Sequence, residues 1–323
     1  MQIISGTTQF KSGGPTALSI GKFDGLHRGH QLLINDIVRH KDKGLKSVVF
    51  TFDPPPEIFF GGMKDGRLLT EQEKQRRFEQ LGVDILVEFP FNRTTAATPP
   101  EDFISNYLVN MLQVRYIAAG PDLSYGDRGK GDFALLQAMG KEYGFETNCI
   151  RKLEKDGVPI SSTLIRKHIA EGKMEEAARC LGIPFSVYGS IVHGKALGRR
   201  IGIPTINIVP DPSKLLPPYG VYYSLVEVDG KFHKGMTNIG VKPTVNDKNV
   251  VTVETFLYDF SGDIYGENAQ VYLCSFRRKE RRFGSVEELK ATMQADIEAG
   301  RKYDFWAALR LITEDIMLSM KRA

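Results

Sequence analysis

Two periods of hydrophobic and polar residues run along the chain. In the first half, Ala17–Ile20, Ser47–Phe52, Asp84–Phe89, Tyr116–Ala119 and Glu146–Ile150 are short candidate strands. Between them, His30–His40, Glu71–Leu81, Pro100–Leu112 and Asp132–Tyr143 carry apolar residues at helical spacing. Strands separated by helices of this length predict a parallel sheet built from right-handed crossovers. Ligands on such sheets sit beyond the carboxyl ends of the strands. Two short helices, Thr163–Glu171 and Met174–Leu181, close this half, and Ile183-Pro184 reads as a joint. The expected domains are 1–184 and 185–323.

After the joint the pattern becomes strand-rich. Val221–Val228 and Lys231–Met236 flank Asp229-Gly230, a two-residue hairpin signal. Val250–Tyr258 alternates, with Val251, Val253 and Leu257 on one face and Thr252, Glu254 and Tyr258 on the other. Several strands with Gly- and Pro-rich turns predict a small barrel. Helices return at the C-terminal end. Ser285 and Glu288 have capping-box spacing ahead of a predicted buried stripe of Val286, Leu289, Met293 and Ile297. A last helix carries Phe305, Trp306, Leu309, Ile312 and Ile316.

Composition narrows the class. A chain of 323 residues can hold two domains with separate cores, and 41% hydrophobic with 25% charged residues is ordinary for a soluble globular protein. No apolar run approaches the ~20 residues a bilayer crossing requires, and Met1–Lys11 lacks the pattern of a signal peptide. Cys149, Cys180 and Cys274 stand far apart, which suits a reducing compartment and excludes a conventional cysteine zinc cage. The expected location is the cytoplasm, away from membranes. Net charge is only +4, so the basic cluster Arg277–Arg282 reads as a solvated turn meeting phosphate more readily than as a nucleic-acid surface. Oligomeric state is not legible, and a homo-oligomer is compatible with the chain.

The first chemical constellation is Gly21-Lys-Phe-Asp-Gly-Leu-His-Arg-Gly-His30, which follows the first strand and opens the first helix. A strand-to-helix turn there offers unpaired backbone N–H groups to a phosphate, and Gly21, Gly25 and Gly29 let the backbone approach closely. His27 and His30 are three apart, so both can point to one side of the first helical turn and donate to phosphate oxygens. A metal site is weak here, because no third ligand lies nearby in sequence.

These residues resemble the nucleotidyltransferases with a His-x-Gly-His signature, and the wider motif resembles the adenylyltransferase domain of bacterial bifunctional FAD synthetases. Thr51-Phe-Asp-Pro-Pro-Pro56, Gly120-Pro-Asp-Leu-Ser-Tyr-Gly126 and Ile160-Ser-Ser-Thr-Leu-Ile-Arg166 are similar to that family's later segments, in order. The resemblance implies that Gly21, Phe23, Asp24, Ser161, Ser162, Thr163 and Arg166 bind ATP or its phosphates, with His27 and His30 catalytic. It implies that Asp122 and Tyr125 meet the flavin. Ser161–Thr163 also lie at a helix start, where hydroxyls and backbone donors favour an anion. Pro55 departs from the family's His, Leu123 and Tyr125 from Phe, and Leu164 from Arg.

The second constellation is Gly189–Asn207. Gly194, Gly198 and Gly202, interleaved with Lys195, Arg199 and Arg200, can wrap phosphates, although no P-loop ending follows. Pro204-Thr-Ile-Asn207 resembles the Pro-Thr-Ala-Asn motif of riboflavin kinases, and Gly220-Val-Tyr222, Asn238–Thr244, Val253–Gly266 and Arg278–Phe283 resemble that family's later landmarks. The resemblance assigns Thr205 and Asn207 to Mg²⁺ and ATP phosphates, Gly194, Lys195 and Gly198 to phosphate, and Arg278 to the flavin. Oxygen ligands suit a hard cation. Glu254, turned away from Val253 and Leu257, is the expected base for the 5′-hydroxyl of the ribityl chain. Phe256 stands where relatives often carry His.

The two motif sets together imply a Rossmann-like α/β nucleotidyltransferase domain followed by a six-stranded antiparallel riboflavin kinase barrel with C-terminal helices. They imply small-molecule substrates only: riboflavin plus ATP gives FMN, and FMN plus ATP gives FAD and pyrophosphate, with Mg²⁺ as cofactor. Competing readings are a single retained activity, transfer to another mononucleotide, and a flavin-responsive RNA-binding regulator.

Overall fold

The computed structural model describes residues 1–62, 66–194, 198, 202–243 and 249–320. The chain divides into two compact units. One comprises Met1–Asp65, Glu71–Ser161 and Ile316–Ala323, and the other Gly66–Thr70 and Ser162–Asp315.

The first unit is built on a parallel sheet of β1 (Gln2–Ser5), β2 (Thr16–Ile20), β3 (Lys46–Asp53), β4 (Ile85–Pro90), β5 (Val114–Ala119) and β6 (Glu146–Cys149). Its order is β1-β4-β3-β2-β5-β6, so the chain reverses its direction of travel across the sheet at β2. That switch point opens a crevice beyond the end of β2, and α1 (Arg28–Arg39) starts there. Leu18, Val48, Phe50, Val87, Phe89 and Ile117 are almost wholly buried and give the sheet its core. β1 escaped the sequence reading because only Ile4 of its four residues is buried, leaving no alternation to detect. The predicted helix at 100–112 is a short α-turn, Pro100–Asp102, running into a π-helix at Phe103–Met111. Spacing of Phe103, Ile104 and Leu108 marks a buried helical face, yet it does not report the pitch.

In the second unit β9 (Ser186–Val192), β10 (Thr205–Ile208), β11 (Gly220–Val228), β12 (Lys231–Pro243), β13 (Asn249–Leu257) and β14 (Asn268–Lys279) close a barrel in the order β10-β13-β12-β11-β14-β9. All its pairings are antiparallel. A small hairpin, β7 (Glu154–Lys155) with β8 (Val158–Pro159), precedes it in the chain. The Asp229-Gly230 hairpin forms as expected, with φ of 49° and 69° at its two residues.

Inside the barrel, Thr237 Oγ1 donates to Ser224 Oγ at 2.8 Å and bonds Thr255 Oγ1 at 2.8 Å, all three residues being fully buried. Outside it, the helix Val286–Arg301 covers Val221, Met236 and Tyr258 with Ile297, and Tyr258 Oη donates to the Ile297 carbonyl at 3.0 Å. Ser285 caps this helix by accepting from the Glu288 N–H at 3.1 Å. The predicted stripe is only half right. The helix meets the barrel through Met293 and Ile297, so Val286 in the first turn is 50% exposed, and Trp306 of the last helix is 71% exposed.

Asp296 on the covering helix is buried and ties it to β14, accepting from Arg278 Nε at 2.8 Å and pairing with Arg278 Nη2 at 2.7 Å. Asp296→Ala leaves a half-buried guanidinium unpaired and is expected to destabilise the barrel by about 3 kcal/mol. Ser285→Ala should cost about 1 kcal/mol through the lost cap. Urea denaturation of both variants checks the ranking; equal midpoints would show that Asp296 does not hold the helix.

Candidate functional site

The loop between β2 and α1 is shaped from beneath. Phe23 is fully buried with φ 51°, Leu26 has φ 43°, and Gly25 has φ 81°, so three left-handed residues fold the turn tightly. Phe23 was expected at the nucleotide but packs edge-on under His30, with ring centroids 5.3 Å apart. A Cβ on Gly21 would lie 3.2 Å from the Phe23 ring, so Gly21 accommodates that ring. Asp24 lies half-buried in the same loop.

His27 is the N-cap of α1, and its Nδ1 accepts the His30 N–H at 3.3 Å. Accepting at Nδ1 fixes the imidazole proton on Nε2, which makes that edge the donor. The His30 ring stacks on His27 with centroids 3.7 Å apart and planes 17° off parallel. Burial pulls the His27 pKa down to about 4, against an upward pull from its backbone hydrogen bond and from Asp122. Burial, then the neighbouring His27, pulls the His30 pKa well below its ordinary value. Both rings are therefore neutral donors at physiological pH. His30 Nδ1 is buried with no partner among the described residues, as befits a group meant for a ligand atom.

The loop Gly120–Gly126 supplies Asp122, whose carboxyl is held below its usual range, against burial, by Lys152, with Nζ 2.8 Å from Oδ2. Tyr125 lies underneath it, 3% exposed, with its ring against Gly131 and 5.7 Å from Phe103. This tyrosine shapes the loop from the core side. Pro55, where relatives carry His, caps the one-turn helix α2 (Pro56–Phe59), and its carbonyl accepts from the Ile58 and Phe59 N–H groups at 2.9 and 3.1 Å. An N-cap needs no N–H of its own, so proline fits. Next to this turn is a feature the motifs did not announce. Phe60 is 72% exposed, with ring centroids 5.2 Å from Phe59 and 5.9 Å from Phe91. The adjacent pair Phe59-Phe60 in a surface turn was the available signal.

Ser161 closes the first unit, while Ser162, Thr163 and Arg166 belong to the second, at the start of the helix Ser162–Ala170. Arg166 Nη1 donates to the Gly66 carbonyl at 2.7 Å.

In the barrel the register gathers what the sequence scattered. Asn207 lies opposite Glu254, Glu254 opposite Asn238, Asn238 opposite Val221, and Val221 opposite Arg278. Directly opposed residues share a face, so Arg278, Asn238, Glu254 and Asn207 form one polar row on the outer surface. Asn238 was quoted within a motif but given no role; its signal was its place in the alternation. Thr205, two residues from Asn207 and on the same face, donates to Glu254 Oε1 at 2.7 Å. Gly194 and Gly198 lie against these side chains. A Cβ on Gly194 would sit 2.8 Å from Asn207 Cγ, and one on Gly198 would lie 3.4 Å from Thr205 Oγ1. Lys195, Arg199 and Arg200 fall outside the described residues. Phe256 opposes Thr205 and packs into the apolar cluster under the covering helix, so it buttresses the strand that carries Glu254. Thr205 Oγ1 and the Asn207 amide oxygen, cradled by two glycines, are the donor set a hard cation takes.

The basic segment is drawn onto the covering helix. Arg277 and Arg278 share Asp296, and Arg281 reaches Thr292 at 2.5 Å and Glu288 at 3.6 Å.

Comparison with known proteins follows the same division. Residues 10–164 match the FAD synthetase family and residues 181–304 the riboflavin kinase family. Relatives described as bifunctional riboflavin kinase/FMN adenylyltransferase include one from Escherichia coli K12, 40% identical over 88% of this chain and 92% of its own length. Another, from Listeria monocytogenes, is 37% identical over 88% of this chain and 91% of its own. A solved structure from Streptococcus pneumoniae, described as a macrolide-efflux protein, is similar at 30% identity and a TM-score of 0.81, covering 94% of this chain and 99% of that one. Among the described residues no helix is long and apolar enough to cross a membrane.

The buried histidines carry a pH signature. His27 titrates near 6.5 when unfolded and about 4 when folded, so between those values the unfolded chain binds the extra proton. Its contribution to stability is complete above pH ~6.5 and is lost as pH falls toward ~4, a change of about 3 kcal/mol. His30 acts in the same direction. His27→Asn keeps the cap and should flatten this decline; urea midpoints measured from pH 7 to pH 4.5 check it, and an unchanged slope rules the assignment out.

Proposed function

We propose, for a chain that belongs to the family of bifunctional riboflavin kinase/FMN adenylyltransferases, that the barrel phosphorylates riboflavin and the α/β unit adenylylates the FMN produced. The protein is a flavin-nucleotide transferase that converts riboflavin and ATP to FMN and ADP, and FMN and ATP to FAD and pyrophosphate. A functional boundary near residue 184 suits the two family matches. The observation that carries the residue-level reading is the row Asn207–Glu254–Asn238, with Thr205 hydrogen-bonded to Glu254.

In the barrel, Glu254 accepts the proton of the riboflavin 5′-hydroxyl as its oxygen attacks the γ-phosphorus of ATP. The Thr205 hydroxyl holds the carboxylate at one oxygen and so fixes its direction. Thr205 and Asn207 would hold Mg²⁺, which neutralises phosphate charge when bound. Gly194 and Gly198 line the phosphates, and Arg278 borders the flavin side of the row.

In the α/β unit, FMN phosphate attacks the α-phosphorus of a second ATP and pyrophosphate leaves. The His27 Nε2–H, the His30 ring and the loop N–H groups of Lys22 and Phe23 donate to the phosphate oxygens, with Gly21 and Asp24 in the same turn. The family resemblance also assigns Ser161, Ser162, Thr163 and Arg166 to nucleotide phosphates, and Asp122 borders the flavin on a loop braced by Tyr125. The exposed Phe60 ring, backed by Phe59 and Phe91, offers a platform on which the flat isoalloxazine stacks. Three free cysteines and the absence of any membrane-crossing helix among the described residues fit a cytoplasmic setting.

Incubation with riboflavin, ATP and Mg²⁺, resolving FMN from FAD, tests the whole. His30→Ala should lower FAD formation about 10²–10³-fold and leave FMN formation near normal. Glu254→Ala should lower FMN formation by about 10²–10⁴-fold while FAD still forms from supplied FMN. A variant that strikes both activities equally overturns the division. Phe60→Ala should raise the KM for FMN about tenfold at little cost to riboflavin phosphorylation.

A further inference from the structure

One strand position in the barrel is a glycine for a reason that lies on another strand. Gly240 of β12 is two residues beyond Asn238, so its missing side chain would project on the outer face, beside the row that carries Glu254. That space is filled by the carboxylate of Glu280. A Cβ built on Gly240 would fall 2.8 Å from Glu280 Cδ and 3.0 Å from Oε2, closer than real contacts allow. A glycine inside a strand commonly marks such a close approach.

Glu280 is held in place by its backbone. It follows β14 directly, and its N–H donates to the Tyr219 carbonyl at 3.2 Å. Two residues earlier, Arg278 is pinned to Asp296, so the segment delivering Glu280 is fixed from behind. Glu280 itself is exposed, and its carboxylate makes no ion pair or side-chain hydrogen bond among the described residues. Structure alone gives it nothing to bind. Yet Gly240 makes room for it.

Its position relative to Glu254 follows from strand geometry. Asn238 opposes Glu254 and Gly240 opposes Thr252, so Glu280 lies over the next pleat, about 7 Å along the strand from the Asn238–Glu254 row. That spacing suits the five-carbon ribityl chain, with one end at the base and inner hydroxyls toward a second carboxylate. A carboxylate only accepts hydrogen bonds, and hydroxyls of a sugar-alcohol chain are the donors it would take.

We propose that Glu280, seated over Gly240, is a substrate-binding residue of the kinase site that accepts hydrogen bonds from the inner ribityl hydroxyls and sets the chain so that its 5′-hydroxyl reaches Glu254. The proposal rests on the reading that the barrel phosphorylates riboflavin. It makes the barrel selective for a polyhydroxylated chain and not for the flavin ring alone.

The test uses the full-length protein with Glu280→Gln and Gly240→Ala. Glu280→Gln keeps the shape and weakens the charge-assisted bonds. Gly240→Ala displaces the flexible end of Glu280 and leaves the backbone conformation ordinary. Each should raise the KM for riboflavin about tenfold, with the KM for ATP and FAD formation from supplied FMN unchanged. The double variant should be no worse than the poorer single one, because both remove one interaction. Binding of lumiflavin, which has the ring without the hydroxyl chain, should not respond to either change. A riboflavin KM within twofold of wild type for Glu280→Gln overturns the proposal, as do additive effects or an equal loss of lumiflavin binding. If the wild-type protein itself forms no FMN, the kinase reading fails instead, and the two failures are distinct.

Discussion

Barrel register is the constraint on which the kinase site depends. Asn207, Glu254 and Asn238 sit on three different strands and meet only because β10, β13 and β12 pair as they do. A slip of one residue would turn Glu254 inward and put Thr255 in its place. The interior resists that slip. Thr237 directly opposes Thr255, and the two hydroxyls are bonded to each other and to Ser224 in a fully buried chain. Moving any of these strands by one position would strand buried hydroxyls among apolar side chains, at roughly 1–3 kcal/mol for each unsatisfied group. The face that carries Glu254 is thus fixed from the opposite side of the sheet, by hydroxyls buried in the barrel interior.

In the α/β unit the corresponding constraint is burial. Phe23 sits beneath His30 and the two imidazoles stack, so each ring is held without a carboxylate partner. Desolvation then keeps both neutral, which leaves N–H donors that carry no charge of their own before ATP arrives. The covering helix gives the barrel a third kind of support. By gathering Arg277 and Arg278, Asp296 keeps the end of β14 in line with the row it flanks.

Much of this was legible in the chain. The alternation of Val250–Tyr258 put Glu254 outside the barrel interior, the Asp229-Gly230 pair fixed the hairpin, and the turn from Gly21 to His30 appeared between a strand and a helix. The place of the Phe23 ring beneath His30 was not legible, because a motif shows which residues recur together, not which of them lies beneath the others. Asn238 went unassigned because its neighbours in space are remote in sequence, and only the register joins them. Val286 was expected to be buried by helical spacing, which ranks faces of a helix but does not say how much of its length meets a partner. The close approach at Gly240 was beyond sequence altogether, since it is defined by an atom on another segment.

The two sites differ as their nucleophiles differ. A riboflavin hydroxyl must lose a proton to become a competent nucleophile, and the base proposed for it in the barrel is a carboxylate, Glu254, to which Thr205 donates. An FMN phosphate is already anionic near neutral pH, so the α/β site needs no base, and a carboxylate at that point would repel both substrates. Neutral imidazoles and backbone N–H groups are proposed for the opposite service, donating to oxygens whose charge grows in the transition state. Exchanging the two chemistries between the units would therefore fail for electrostatic reasons even if the substrates fitted. Acceptors in the barrel and donors in the α/β unit follow from the protonation state of the oxygen that attacks.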